Sequence, residues 1–333
     1  MEYMKTRYGN EILASELASL TAFVIITDSI PWHLFGDRFR DRQVGVYMPH
    51  TLEQSVLDQI IVEIPNDVDF VGLGGGTAID AAKYFAFLRN RTPILVPTLT
   101  SSNAHFSDFI SVRRDGSSYG FKKEGWPKRI VVDYSLIQEA EPRLNRAGYG
   151  DLLYMQTTLN DWRIAANTGQ RIAVDPKIER DVTRMIRTAI THAKEIGSVS
   201  HTGLHKLMFL IEQTSAVVMN NLSKPITAGA EHLFSWNLER LTGKPLNHGE
   251  TVALGIVISS FLQKSHTSEL RNALNEAQVC YHPDQIGISW EEIKQTLLNV
   301  NEYNRSFRQF YTIFDEVEWN DQLLNKIRNY IYI

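Results

Sequence analysis

The feature that most constrains the fold is a change of pattern near residue 150. Before it, short runs rich in β-branched residues alternate with longer helical patterns such as TLEQSVLDQIIVEI. The runs are FVIITD (23–28), VGVYM (44–48), FVGLG (70–74), TPILVPT (92–98) and RIVVD (129–133). Strands separated by helices are typical of βαβ units. The first 150 residues are therefore predicted to form an α/β domain with a mainly parallel sheet.

Residues 151–333 show helical periodicity only. Segments such as KIERDVTRMIRTAITHAKEIG and ETVALGIVISSFLQKSH carry apolar residues at helical spacing. A chain of 333 residues is longer than the roughly 250–300 residues at which one hydrophobic core stops growing. We therefore predict two domains, 1–150 and 151–333. No low-complexity linker separates them, so we expect the domains to pack directly and to form a cleft.

Composition excludes several classes of protein. A net charge of −4 argues against nucleic-acid binding, and the longest apolar stretches fall short of the ~20 residues that span a bilayer. The opening residues MEYMKTRYGN lack the apolar core of a secretory signal, and the single cysteine, Cys280, excludes a disulfide framework. We expect a cytoplasmic protein that binds neither nucleic acid nor membrane.

The segment FVGLGGGTAIDAAKYFAF (70–87) places three consecutive glycines between an apolar run and an amphipathic helix. Such a turn exposes backbone N–H groups at the positive end of the helix dipole and is suited to binding a phosphate. The ordinary dinucleotide fingerprint fails, because the string from Gly72 reads GLGGGT and no acid follows at the usual distance. A tight strand-to-helix turn without a ligand is the alternative interpretation.

Asp151, His232 and His248 are candidate metal ligands from three separate helical segments. A catalytic divalent site typically uses three protein ligands and keeps one position open. Each residue also has a structural interpretation. Asp151 could be a helix N-cap, His232 a core histidine, and His248 a turn residue beside a glycine.

Six ordered motifs together resemble the sn-glycerol-1-phosphate dehydrogenases, within the superfamily of iron-containing alcohol dehydrogenases, glycerol dehydrogenases and dehydroquinate synthases. They are VGLGGGTAIDAAKYFAF, VPTLTSSNAHFSDFISV, KRIVVDYSLI, AGYGDLLYMQTTLNDWRIA, AGAEHLFSWNLE and LNHGETVALG. The resemblance implies a Rossmann-like N-terminal domain, an all-α C-terminal domain as in dehydroquinate synthase, and a divalent metal between them. It also implies an NAD- or NADP-linked oxidoreductase that transfers a hydride to or from a small substrate.

The same resemblance assigns roles to individual residues. The metal ligands carry over to Asp151, His232 and His248, with zinc favoured over iron or nickel. Asp28 would accept hydrogen bonds from the adenosine ribose. The remaining residues implied to contact the cofactor are Gly74, Gly75, Gly76, Thr77, Asp80, Thr98, Thr100, Ser107 and Ser111. Asp28 would repel a 2′-phosphate, which favours NAD, although Arg38, Arg40 and Arg42 could offset that repulsion.

Two positions depart from the family pattern. Asn103 stands where relatives have an acid near the substrate hydroxyls, and Asn cannot act as a base. Trp236 stands where relatives commonly have a second histidine, four residues after the first metal histidine. His105 is the candidate replacement proton carrier, and an ordinary loop histidine is the alternative.

The function expected from the resemblance is oxidoreduction of a small phosphorylated polyol or ketone, with glycerol 1-phosphate and dihydroxyacetone phosphate as the closest pair. One alternative is a sugar-phosphate cyclase or lyase that uses NAD transiently, so that no NADH accumulates. Another is a catalytically degraded relative that binds nucleotide and serves as a regulator or scaffold. By family analogy we expect a homo-oligomer.

Overall fold

The computed structural model describes residues 5–39, 42–123 and 129–333, so Arg40, invoked above against a 2′-phosphate, lies outside the described residues. The chain divides into two compact units, Met1–Asn145 and Arg146–Ile333. Within the described part of the chain, no helix combines the length and apolar character needed to cross a membrane.

The first unit contains a six-stranded parallel sheet. Its strands, in chain order, are β1 (Lys5–Gly9), β2 (Phe23–Thr27), β3 (Gly45–Tyr47), β4 (Asp69–Gly74), β5 (Ile94–Pro97) and β8 (Arg129–Asp133). Across the sheet their order is β1-β8-β5-β4-β2-β3. The antiparallel hairpin of β6 (Phe109–Arg114) and β7 (Ser117–Lys122) lies outside this sheet.

The five runs predicted as strands all form strands, whereas β1 and the hairpin were not predicted. The sequence of β1, KTRYG, has no apolar run because it lies at the edge of the sheet, paired only with β8. The hairpin does have a recognisable signal. Asp115 and Gly116 form its turn with φ values of 52° and 73°, as Asp-Gly in a type I′ turn requires.

The helices of the first unit cover the sheet. They are α1 (Leu13–Glu16), α2 (Ser29–Phe35), α3 (Gln54–Glu63), α4 (Gly76–Leu88) and α5 (Tyr134–Ile137). Side chains alternate across β2, so Val24 and Ile26 join one apolar cluster while Phe23 and Ile25 join another. Apolar packing on both faces explains why the central strands read as continuous apolar runs.

The glycine run lies at the topological switch point of the sheet. The chain passes from β2 to β3 on one side and then returns to form β4 on the other side of β2. The carboxyl ends of β2 and β4 are therefore neighbours, and the helices that follow them, α2 and α4, pack into different apolar clusters. In open α/β sheets this is the place where ligands bind.

The second unit is built from helices, with no strand among residues 146–333. The helices are α6 (Pro142–Asn167), α7 (Pro176–Thr191), α8 (Ala193–Gly197), α9 (His201–Asn220), α10 (Ala230–Thr242), α11 (His248–Gln263), α12 (Thr267–Glu276), α13 (Pro283–Ile286), α14 (Trp290–Phe307) and α15 (Asp321–Ile331). The division between the units falls inside α6. Every residue of α11 from Gly249 to Ser260 is buried, so α11 is the central helix of this unit. The predicted fold class is confirmed.

Candidate functional site

Three side chains from three helices of the second unit come together. Asp151 lies within α6, His232 is the third residue of α10, and His248 is the first residue of α11. One ligand atom from each residue lies within 4.8 Å of the others. The Nε2 atoms of both histidines are 3.5 Å from Oδ1 of Asp151. Asp151 does not begin a helix, because α6 already starts at Pro142.

Glycines allow α6 and α11 to approach closely enough for this. A Cβ atom on Gly150 would lie 2.4 Å from the carbonyl oxygen of Gly249. A Cβ atom on Gly249 would lie 2.1 Å from the carbonyl oxygen of Ala147. Both distances are far below a van der Waals contact, so only glycine fits at this crossing. These glycines are the chain neighbours of Asp151 and His248, and the crossing therefore brings those two side chains together.

The start of α10 is fixed by two buried carboxylates. The N–H of Gly229 donates to Oε1 of Glu231 at 2.8 Å, and the N–H of Ala230 donates to Oδ2 of Asp161 at 2.7 Å. A Cβ atom on Gly229 would lie only 2.6 Å from Asp161 Oδ2. Carboxylates thus accept hydrogen bonds from backbone N–H groups that have no partner within the helix. They fix the first turn of α10, which contains His232.

The electrostatics of the cluster favour positive charge. Burial raises the pKa of Asp151, but hydrogen bonds from His232 and His248 outweigh this and lower the pKa to about 2. Burial lowers the pKa of His232, but hydrogen bonds to Asp151 and Glu231 outweigh this and raise the pKa to about 9. The His232 ring lies between two carboxylates, so a protonated ring is favoured when no other cation is bound.

The donor set fits a divalent ion. Two ligands that each lie 2.0–2.2 Å from a tetrahedral ion are about 3.4 Å apart. The two Nε2–Oδ1 distances of 3.5 Å match that separation. One carboxylate oxygen and two imidazole nitrogens suit zinc, iron or nickel.

The predicted cofactor residues all lie in the first unit. Gly74 has φ +151°, and a Cβ atom there would lie 2.8 Å from the side chain of Ala78. Gly75 is the N-cap of α4 and has no side chain to cap the helix. The N–H of Gly75 donates instead to the carboxylate of Asp28. Burial raises the pKa of Asp28, and this hydrogen bond offsets part of that rise. Backbone donors and the α4 N-terminus therefore meet at the end of β4.

The other predicted cofactor residues differ in their environment. Asp80 is buried, pairs with Lys83 at 2.7 Å and accepts from the N–H of Ser111 at 3.4 Å. The hydroxyl of Thr100 is buried and donates to the carbonyl of Asn145 at 2.6 Å. Thr98 and Ser107 are buried, whereas Thr77 and Ser111 are half-buried. Asp80 and Thr100 thus have protein partners, and their roles toward a cofactor stay predictions.

Sequence comparisons relate the chain to known dehydrogenases. Residues 6–141 match the family model described as iron-containing alcohol dehydrogenase. The glycerol-1-phosphate dehydrogenase [NAD(P)+] of Thermofilum pendens is 29% identical over 77% of this chain and 73% of the relative. That of Hyperthermus butylicus is 27% identical over 92% of this chain and 88% of the relative. The chain is thus similar to the iron-containing alcohol dehydrogenases over residues 6–141 and to these glycerol-1-phosphate dehydrogenases over most of its length. The expectation of an NAD(P)-dependent dehydrogenase is confirmed by these relatives.

Solved structures of two dehydrogenases have the same fold. Glycerol dehydrogenase from Schizosaccharomyces pombe superposes with a TM-score of 0.70 at 19% identity, covering 99% of this chain and 91% of that one. An iron-containing alcohol dehydrogenase from Corynebacterium glutamicum superposes with a TM-score of 0.74 at 12% identity, covering 98% and 94%. The parallel sheet and the helical unit of this chain thus form a fold that these two enzymes share.

The departures from the superfamily pattern have distinct environments. Asn103 is half-buried ahead of a short 3₁₀ turn, Ala104–Phe106. His105, in that turn, is 2% exposed. Burial and then the charge of Lys83 lower the pKa of His105 to about 3. A pKa this far below neutral pH makes protonation of the ring unfavourable, so the role of His105 as a proton carrier stays a prediction without added support.

Trp236 places an aromatic ring beside the cluster. Its ring centroid lies 5.1 Å from that of His232. The guanidinium carbon of Arg308 lies 4.4 Å from the centroid of the Trp236 ring. Arg308, which ends α14, was not identified from the sequence, because nothing in its spacing connects it to a histidine 76 positions earlier. The structure thus brings a permanent positive charge over the aromatic ring that packs against His232.

Two further residues were not predicted. Lys83 is buried, and its ammonium group donates to the carbonyls of Ala104, Ser107 and Phe109 as well as to Asp80. Glu231 is buried beside His232. Lys83 lies one helical turn after the predicted residue Asp80, and Glu231 directly precedes the predicted residue His232. This nearness in sequence is the only local signal for either residue.

Proposed function

We propose that this chain is a metal-dependent, NAD(P)-linked dehydrogenase that interconverts glycerol 1-phosphate and dihydroxyacetone phosphate. The observation that carries the proposal is the cluster of Asp151, His232 and His248, which offers one carboxylate and two imidazoles within 4.8 Å. Its relatives from Thermofilum pendens and Hyperthermus butylicus bear the corresponding enzyme name. Zinc is the proposed ion.

In this proposal the first unit binds the cofactor and the second unit binds the ion. In the first unit, the N–H groups of the glycine turn and the α4 N-terminus bind the pyrophosphate of the dinucleotide. In the second unit, Asp151, His232 and His248 hold the ion. When bound, the divalent ion supplies Lewis-acid polarisation of the substrate oxygen, and the nicotinamide supplies or accepts the hydride.

The protein's own residues prepare the second unit for this chemistry. Asp151 is ionised at neutral pH, because hydrogen bonds to the histidines outweigh burial and lower its pKa to about 2. The Nδ1 atom of His232 lies 3.0 Å from Glu231 Oε1, which leaves Nε2 directed at the shared point. The Tyr154 and Trp236 rings pack against His232 and exclude water from that side.

Arg308 supports a phosphorylated substrate over a neutral polyol. Its guanidinium lies over the Trp236 ring, which contacts His232. The side chain of Tyr303 also hydrogen bonds with it and helps to orient it. Arg binds phosphate oxygens through several fixed N–H donors, and a nearby aromatic face orients the guanidinium. We propose that Arg308 receives the phosphate group.

The decisive experiment follows nicotinamide absorbance with dihydroxyacetone phosphate as substrate. We expect consumption of NADH or NADPH by the metal-loaded protein, loss after chelation, and recovery when zinc is added back. Asp151→Asn and His248→Ala should remove both bound metal and activity. A wild-type protein that binds zinc stoichiometrically yet consumes no reduced cofactor would contradict the proposal, and transient use of NAD with a sugar phosphate would instead identify a cyclase.

The substrate assignment has its own test. Arg308→Gln should raise KM for dihydroxyacetone phosphate by about 10- to 100-fold, as loss of a charged hydrogen-bonding group typically does. KM for unphosphorylated dihydroxyacetone should stay unchanged. Arg328→Gln is the matched control, because Arg328 lies over Trp290 elsewhere in the same unit. Equal KM changes for both ketones would refute a phosphate-binding role.

A further inference from the structure

The carboxylate of Glu231 is the most completely surrounded acid near the cluster. Its side chain is fully buried. Oε1 accepts from the N–H of Gly229 at 2.8 Å and from the hydroxyl of Thr158 at 2.9 Å. Oε2 lies 2.7 Å from the hydroxyl of Thr157. These donors come from α6 and from the start of α10, and they leave the carboxylate little freedom to rotate.

The same carboxylate also contacts the ring of His232. Glu231 Oε1 lies 3.0 Å from Nδ1, on the opposite side of the ring from Nε2. A carboxylate accepts hydrogen bonds but cannot donate them when ionised. Nδ1 must therefore carry the proton, and the lone pair of a neutral ring is then on Nε2, which lies 3.5 Å from Asp151.

We propose that Glu231 is the positioning residue of the metal centre: through its hydrogen bond to Nδ1 it fixes the tautomer and orientation in which His232 presents Nε2 to the ion. The proposal rests on the proposed metal site and adds a role for Glu231, which is not one of the three proposed ligands. Carboxylates that orient a metal-bound histidine typically strengthen metal affinity 10- to 100-fold. Glu231 does not touch the ion or the substrate.

Asp161 provides the comparison that separates this role from a structural one. Asp161 belongs to α6 and accepts a hydrogen bond from the N–H of Ala230, the first residue of α10, at 2.7 Å. Its other oxygen accepts from Ile313 and from Gln263 at 2.9 and 2.8 Å. Asp161 therefore holds the start of α10 as Glu231 does, but these hydrogen bonds go to Ala230, Ile313 and Gln263 and not to His232. Replacing it therefore perturbs the helix start, together with Ile313 and Gln263, but leaves the contact between Glu231 and His232 in place.

The experiment measures zinc affinity by competition with a chromogenic chelator, in the full chain without cofactor or substrate. We expect Glu231→Ala to weaken zinc binding 10- to 100-fold. Glu231→Gln, which retains an acceptor for Nδ1 but no charge, should lie between that variant and wild type. Asp161→Asn should bind zinc as wild type does. In cobalt-substituted protein, the visible absorption bands should shift in the Glu231 variants and not in Asp161→Asn.

Each outcome decides the proposal. Wild-type zinc affinity in folded Glu231→Gln and Glu231→Ala would overturn it. Equal losses in Asp161→Asn would also overturn it, because the effect would then come from the helix start. If Glu231→Ala does not fold, Glu231→Gln decides, with circular dichroism as the check on folding. Failure of the wild-type protein to bind zinc would refute the proposed metal centre itself, and that result is seen before any variant is compared.

Discussion

His105 in the first unit and His232 in the second are both buried, at 2% and 6% exposure, yet their pKa values move in opposite directions. Burial and Lys83 lower the pKa of His105 to about 3. Burial lowers that of His232 too, but Asp151 and Glu231 raise it to about 9. Partner charge, and not burial, decides which of the two buried rings is protonated more easily.

The same contrast extends to the charged groups around each histidine. In the first unit, Lys83 uses its donors on Asp80 and on three carbonyls of the 104–109 segment. Those charges are satisfied within the protein and stabilise a loop. In the second unit, ligand atoms of Asp151, His232 and His248 converge on one point. The charges near His105 are thus paired within the protein, whereas the atoms that converge near His232 are the ligand set of the proposed ion.

The largest expected effect tests whether the paired charges of Lys83 and Asp80 stabilise the first unit. Lys83→Met leaves Asp80 buried without its cation and three carbonyls without their donor. We expect a loss of about 3–5 kcal/mol in the free energy of unfolding, measured by urea denaturation, as for other broken buried pairs. Lys122→Met should cost far less, because Lys122 is a third exposed and lies 3.5 Å from Asp108. A loss below about 1 kcal/mol for Lys83→Met would show that the loop is held by other contacts.

The next prediction compares glycines of the two units. Gly249→Ala places a Cβ atom 2.1 Å from a backbone oxygen of α6, so we expect a loss of about 1–3 kcal/mol in stability and weaker zinc binding. Gly75→Ala is the matched control, because its Cβ would lie 3.5 Å from the flexible side chain of Leu99. That variant should remain within about 0.5 kcal/mol of wild type. Equal costs in urea denaturation would mean that the α6–α11 crossing is not unusually tight.

The third prediction concerns pH. His105 takes up a proton in the unfolded chain near its ordinary pKa of 6.5, but in the folded protein only near 3. Its contribution to stability is therefore present above pH 6.5 and is lost as the pH falls from 6.5 toward 3. Between pH 7 and pH 5 this amounts to about 2 kcal/mol.

His105→Gln should remove that part of the acid sensitivity. The measurement is the free energy of unfolding of both proteins at pH 7 and pH 5. Identical pH dependence would contradict the neutral, buried state of His105. If instead His105 carries protons during the reaction, the variant should lose activity by about 10²–10⁴-fold at neutral pH.

The smallest expected effect concerns Trp236. Trp236→Leu removes the ring beneath Arg308, and a cation–π contact contributes about 0.5–1 kcal/mol. We expect KM for dihydroxyacetone phosphate to rise about two- to fivefold with kcat nearly unchanged. Trp290→Leu removes the ring near Arg328 and should leave KM as in wild type. A fall in kcat without a change in KM would place Trp236 in the chemical step instead.

Local patterns predicted much of this structure. The alternating runs of the first unit and the helical periodicity of the second led to the correct fold class, since each depends on which faces of an element are apolar. Strand β1 was missed because its residues KTRYG carry no apolar signal. Asp151 was considered as an N-cap because the helical pattern after it was clear, whereas the start of α6 at Pro142 was not recognised.

Other features had no local signal. Two sets of contacts join positions more than 70 residues apart in the sequence. Arg308 contacts Trp236, and Thr157 and Thr158 contact Glu231. Spacing along the chain does not report such contacts. Glycines beside Asp151 and His248 are visible in the sequence, but only the helix crossing explains why no side chain fits there.

The sequence by itself determined the architecture, the glycine turn at the end of the fourth strand and the identity of three candidate ligands, because each depends on residue type and local order. The tertiary structure decided the distances among those ligands, the opposite pKa shifts of two buried histidines and the partners of Glu231 and Lys83. These depend on charges and backbone atoms brought together by packing, and a pairwise electrostatic interaction is set by separation in space and not by separation along the chain.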